Sequence, residues 1–174
     1  FQFSRGIDVG SRSHNEAGNG TPLSRSEGKT NFSHFNFNTN YKFSPVDNYE
    51  VDLNAGGQYS LDDLLNSEQT SITGSNKLSG FTSGSISGDE AWYIRGQLNR
   101  TYNVSNQIKL TPYVYGAAGV AYTLSPTAVE ERATAAKSIG LGLKFQGLDK
   151  LFFQKSISGK VEYSKNWATG KLED

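Results

Sequence analysis

Apolar and polar residues alternate along most of this chain with a period of two, and the period of an amphipathic helix is nearly absent. Phe1, Phe3, Ile7 and Val9 alternate with Gln2, Ser4 and Asp8. In FNFNTNYKF, Phe35, Phe37, Tyr41 and Phe43 share one face, and Asn36, Asn38, Asn40 and Lys42 the other. In YEVDLNAGGQY, Tyr49, Val51, Leu53, Ala55 and Tyr59 oppose Glu50, Asp52, Asn54 and Gln58. A weaker strand is predicted over Glu68–Thr73. Further strands follow at Trp92–Leu98, at Ile108–Tyr122, around Ile139, Leu141, Leu143 and Phe145, and around Ile157, Val161, Tyr163 and Trp167. That makes about eight strands, joined by short polar turns such as NVSNQ and by longer loops at 10–30 and 123–133. One join is abrupt. The Gly/Ser-rich run SNKLSGFTSGSISGDE shows no strand period, yet it leads directly into WYIRGQL, whose faces are sharply unlike.

Two architectures produce such alternation. A soluble antiparallel sheet buries one face and wets the other. A transmembrane β-barrel turns its apolar side chains to lipid and its polar ones to a lumen. Charges and amides occupy the polar side of nearly every predicted strand, as a wet lumen permits. Tyr102, Tyr122 and Trp167 stand toward strand ends, where amphipathic rings favour the membrane interface. These features favour the barrel. No segment approaches the roughly 20 apolar residues of a spanning helix, which leaves the barrel untouched. The soluble β-sandwich binding module stays as an alternative.

Composition narrows the function further. The chain has 174 residues, enough for one sizeable domain, and balances 17 basic against 17 acidic residues. That balance offers no basic stripe for nucleic acid. There is no Cys, hence no thiolate nucleophile and no Cys-rich zinc site, and this suits a cell-envelope protein. Catalysis has little to draw on. His14 and His34 are read as solvated, no G-x-S-x-G elbow exists, and the acidic pairs at 62–63 and 130–131 fall in turns or loops. GLG at 140–142 lacks the third Gly and the helix of a dinucleotide fingerprint. No catalytic, metal or cofactor site is expected. Glycines such as Gly116 and Gly119 inside strands are read as clearance for a close neighbour or as bends in the wall.

The segment LLNSEQTSITGSNKLSGFTSGSISGDEAWYIRGQL resembles that of the two-partner secretion translocators (TpsB-type, the hemolysin activator/secretion family). There a strand ends in S-E-Q, a Gly-rich turn and a V-R-G-F/Y tip follow, and S-G-D-x-G opens the next strand. Here the matching residues are Ser67-Glu68-Gln69, Gly74, Leu78-Ser79-Gly80-Phe81 and Ser87-Gly88-Asp89. RSEGKTNFSHFNFNTNYKFSP is similar to the preceding strand pair, PYVYGAAGVAY takes the place of F-x-D-x-G, and KSIGLGLKF with ISGKVEYSKNWATG resembles the late strands.

The resemblance implies an all-β antiparallel transmembrane barrel in the bacterial outer membrane. Residues 1–174 would be the C-terminal part of a barrel of about sixteen strands, without the periplasmic POTRA domains and the closing strand, or an eight-stranded barrel. It implies that loop 74–88 folds into the lumen, with tip Leu78, Ser79, Gly80 and Phe81 against a wall of Tyr113, Tyr115, Ala117 and Gly119. Two positions depart from the pattern. Ser79 stands where the family's tip has Arg, and Ala117 where its wall has the partnering Asp. Losing both partners together leaves an uncharged contact, whereas losing one would strand a charge. The implied work is translocation of an unfolded secreted partner polypeptide. The implied neighbours are outer-membrane lipid and the remaining barrel strands, or another chain, at the exposed sheet edges. A small adhesin-like or porin-like surface barrel without secretion activity is the alternative.

Overall fold

A computed structural model describes residues 1–7, 25, 28–105, 107–128, 130–149 and 155–169. Among them there is no helix. The strands are β1 (Gln2–Arg5), β2 (Ser33–Phe43), β3 (Tyr49–Ser60), β4 (Thr70–Ser71), β5 (Ser87–Gly88), β6 (Glu90–Arg100), β7 (Tyr102–Ser105), β8 (Ile108–Tyr122), β9 (Ala133–Asp149) and β10 (Lys155–Ala168). One sheet runs β1-β2-β3-β6-β8-β9-β10, with β7 also on β8, and every pair in it is antiparallel. β7 prolongs β6 beyond Thr101, whose N–H donates to the Asn48 carbonyl at 2.8 Å. β4 and β5 pair only with each other.

The weak strand expected over Glu68–Thr73 is therefore not part of the wall. Only Thr70–Ser71 is extended, and it belongs to a connection that runs from Leu61 to Asp89. Four strands before the loop become three. The reason is in the pattern: Ser67–Thr73 holds a single apolar residue, Ile72, too little to cover one face of a spanning strand.

Burial runs opposite to a soluble sheet. Arg95, Gln97, Asn99, Gln58 and Ser138 are buried, while Ile94, Leu141 and Tyr163 stand 58%, 58% and 76% exposed. A sandwich would turn the apolar flanks onto a second layer, and here they face outward uncovered. That overturns the sandwich alternative. β1 pairs with β2 alone and β10 with β9 alone among the described residues, so the sheet is open, not a closed eight-stranded barrel.

Long connections lie at one end of the sheet, between β3 and β6 and between β8 and β9. The short ones, 44–48 and around 106, lie at the other. Outward aromatic side chains gather near both ends: Tyr59, Trp92, Tyr122 and Trp167 at the long-loop end, Phe43 and Tyr102 at the short-turn end. The expected loop 10–30 lies outside the described residues apart from Arg25 and residues 28–30.

Candidate functional site: a loop clasped to the polar face

Residues 61–89 leave the end of β3 and return at the start of β6 across the polar face of the sheet. The path begins with an ion pair. The Arg25 guanidinium donates to both Asp89 carboxylate oxygens at 2.7 Å, with side chains 4% and 0% exposed. Asp89 also accepts the Leu64 N–H at 3.0 Å, the Leu124 N–H at 2.8 Å and the Gln69 amide at 3.3 Å. Arg25 reaches on to the Ser125 carbonyl at 3.0 Å. One carboxylate thus ties together four separated stretches of chain.

Beyond this knot the loop lays Ile72, Leu78 and Ile86 against the wall, each nearly inaccessible to solvent. The wall beneath them is built from small residues, Ala91, Ala117, Ala121 and Ala136, with Phe81 packed beside them. Gly119 belongs to this bed: a Cβ there would sit 3.2 Å from the Ile72 Cβ and 2.9 Å from the Trp92 carbonyl. The loop keeps its width small by turning at Gly74, whose φ of 140° is open to glycine, and by the Lys77 N–H bond to the Gly74 carbonyl at 3.0 Å.

At the tip, polar groups take over. Arg95 donates to the Ser79 hydroxyl at 2.6 Å, to the Lys77 carbonyl at 3.1 Å and to Gln97 at 2.9 Å. It pairs with Glu162 at 3.3 Å, and its guanidinium lies 3.6 Å from the Tyr115 ring centroid. Glu162 accepts a hydrogen bond from Ser79 and another, at 2.6 Å, from the Tyr113 hydroxyl. Asn166 donates to the Gly80 carbonyl at 2.6 Å. Glycine matters twice here. Tyr113 and Tyr115 cross over Gly142 and Gly140, their partners on β9, where an added Cβ would come within 2.7 Å of each ring. Without that crossing Tyr113 could not reach Glu162 on β10.

The structure brings Leu78, Ser79, Gly80 and Phe81 onto the same face as Tyr113, Tyr115, Ala117 and Gly119. Ala117 is the direct cross-strand partner of Arg95. The cation therefore sits on β6 beside position 117, and its carboxylate partner sits on β10, two strands beyond that position. Alternation alone put Arg95 and Glu162 on the polar face, but their pairing passes over Tyr115 and Tyr113, which no linear pattern shows. Gly116 corrects an expectation: it faces outward, away from the loop, and clears no neighbour among the described residues.

The remaining chemical candidates stay unremarkable. His34 is buried, not solvated, and stacks on Phe32 at 5.3 Å; His14 lies outside the described residues. Asp62 accepts the Ser33 N–H at 3.0 Å and pairs with Lys29 at 3.3 Å. Glu130 caps a turn, and the Thr127 N–H holds its carboxyl below the usual range. A Gly80→Val substitution tests the tip contact. Its side chain would collide with Asn166 and Ser164, so the tip should lift, and trypsin should cut after Lys77 in the folded protein but not in wild type.

An open antiparallel sheet with an uncovered apolar face, aromatic ends and a loop bonded across its polar face defines a section of an outer-membrane β-barrel. Over residues 1–145 the chain matches the family described as Haemolysin secretion/activation protein ShlB/FhaC/HecB. It belongs to that family, whose members are two-partner secretion translocators of the Gram-negative outer membrane. No curated protein and no solved structure matches the chain.

Proposed function

We propose that this chain forms part of the wall of a protein-conducting barrel and carries the loop that blocks its lumen at rest. The passenger is an unfolded secreted partner polypeptide, and no covalent chemistry is involved. The observation that supports this reading is the loop's mode of attachment. Residues 70–88 are held by a handful of side-chain bonds to β6 and β10 and by apolar packing on β8, with no strand pairing to the wall among the described residues. Such bonds can exchange for passenger contacts without unzipping the barrel. The polar face that the loop would vacate carries Gln97, Asn99, Asn54 and Asp52, groups that hydrogen-bond any backbone sliding past. Outer-membrane lipid covers the apolar face, and the edges at β1 and β10 pair with further barrel strands.

Locking the tip tests this. The chain has no cysteine, and an added Cβ at Gly80 would touch the Ser164 side chain. A Gly80→Cys/Ser164→Cys pair should therefore cross-link on oxidation. Secretion of the partner and fluctuating channel openings in planar bilayers should both stop, and both should return on reduction. Full secretion by the cross-linked protein rules out a moving plug. Absence of conductance under every condition would instead favour a surface barrel without transport.

A further inference from the structure

The outward face holds a second arrangement that the loop and its clasp do not use. Leu53, Gly96, Gly116, Ile139 and Lys165 are successive partners along one outward-facing rung of β3, β6, β8, β9 and β10. A furrow of about 630 Å³ follows this rung, floored by the two glycines, sided by Leu141 and Tyr163 and ending at Lys165. Its glycines differ from those on the polar face. At Gly116 an added Cβ would meet nothing within 4 Å, and at Gly96 only the Leu53 side chain at 3.5 Å. Nothing among the described residues requires glycine at either place. What the two residues keep is an apolar hollow open to the outside.

The charge beside it is equally specific. Lys137 and Lys165 point outward from the otherwise apolar outer sides of β9 and β10, and both ammonium groups lie near one indole, 5.4 Å and 5.5 Å from the Trp167 ring centroid. Among the described residues neither has a carboxylate partner. A lysine on the lipid side is costly at the bilayer midplane and nearly free near the interface. A 17-residue strand such as β9, tilted by about 40°, rises on the order of 40 Å and overhangs an apolar band about 25 Å tall. Lys137, four residues into β9 from the long-loop end, falls near the rim of that band. Long loops mark the cell exterior in such barrels, so the two cations sit at the headgroup level of the outer leaflet.

We propose that this face seats one phosphate-bearing lipid of the outer leaflet, its phosphate drawn to Lys137 and Lys165 and one acyl chain in the Gly96–Gly116 furrow. Charge complementarity and shape argue for the same occupant. Two cations without a carboxylate partner among the described residues, on a lipid-facing surface, call for an anion within the membrane, and an apolar hollow lined by Leu53, Ile139 and Leu141 suits an alkyl chain. The proposal rests on the outer-membrane location.

The test is native mass spectrometry of the intact protein in detergent, titrated with diphosphoryl lipid A and, separately, with phosphatidylcholine. Wild type should retain one lipid A at concentrations where phosphatidylcholine is lost. Lys137→Gln/Lys165→Gln should weaken lipid A binding by roughly tenfold or more and leave phosphatidylcholine unchanged. Gly116→Leu fills the furrow without touching the charges, and should weaken retention of both lipids. Heat-modifiable migration on gels confirms that each variant is folded. Lipid A titrating identically in the double-lysine variant, or equal binding of both lipids by wild type, overturns the proposal. So does a protein dimer that Gly116→Leu dissolves, because the furrow would then seat a second copy. Failure of wild type to insert into lipid vesicles would instead count against the barrel reading itself.

Discussion

Replacing Asp89 by Ala should cost this protein about 3–5 kcal/mol of unfolding free energy, the range for breaking a buried ion pair by removing one partner. The carboxylate is fully buried and is held by Arg25, by Gln69 and by the backbone N–H groups of Leu64 and Leu124. Its loss strands a guanidinium that is itself almost wholly buried. Two amide donors lose their acceptor as well, each at a cost of about 1–3 kcal/mol where water cannot reach them. Removing both charges should be gentler than removing one. Arg25→Ala/Asp89→Ala is expected to recover about 1–2 kcal/mol relative to Asp89→Ala, since no buried cation remains. Urea unfolding in vesicles, followed by the fluorescence of Trp92 and Trp167, measures both differences. A double variant less stable than the Asp89 single variant would mean that Arg25 contributes something other than charge pairing.

The second large effect concerns the tip and is local. Arg95→Ala removes the donors to Ser79, to the Lys77 carbonyl and to Gln97, along with the Tyr115 ring contact. It also leaves Glu162, whose side chain is 12% exposed, without its cation. Charge-assisted bonds of this kind contribute about 1.5–3 kcal/mol each, so the detached loop should gain on the order of 2–4 kcal/mol relative to the docked one. Each 1.4 kcal/mol is a factor of ten, and the open fraction should therefore rise between thirtyfold and a thousandfold. Hydrogen exchange reads this at the Ile72 and Leu78 amides, which are bonded to the Ile86 and Ile72 carbonyls. Their protection should collapse while that of β8 and β9 stays unchanged. Arg95→Lys should fall between, because an ammonium keeps the charge but cannot fork between Ser79, Gln97 and Glu162. Unchanged protection in Arg95→Ala would show that the apolar bed under Ile72 and Leu78 holds the loop without the clasp.

These two sites divide the labour of the loop. The Arg25–Asp89 knot fixes its root, where the stretches around Leu64 and Leu124 converge, and so belongs to the stability of the mouth. The Arg95–Glu162 pair fixes its tip, whose release is what the proposed function requires. A mutation at the root should change unfolding, and one at the tip should change how readily the loop detaches. The proposed lipid seat lies on the opposite face of β8 and β9, so its variants should leave both quantities alone.

The alternation of side chains determined most of the wall. Phe35 to Phe43, Ile108 to Tyr122 and Ile139 to Phe145 are strands in the structure, with the apolar members outward. A period of two allows only one assignment of faces per strand, and a membrane rewards the whole set at once. The strand over Glu68–Thr73 failed for the same reason in reverse, since Ile72 alone cannot cover a spanning face and is worth more in the Ala bed. The sequence LSGF was marked only by its resemblance to the family's segment between S-E-Q and S-G-D, and no alternation of its own singles it out. What held it was not legible. Glu162 meets Ser79 across 83 residues, and Arg25 meets Asp89 across 64. A sequence states which face each of these residues takes, but the curvature of the sheet and the space over Gly140 and Gly142 decide which of them touch. Strand register is a short-range consequence of pattern, whereas ion pairs across a lumen depend on where the backbone leaves room for a ring to pass.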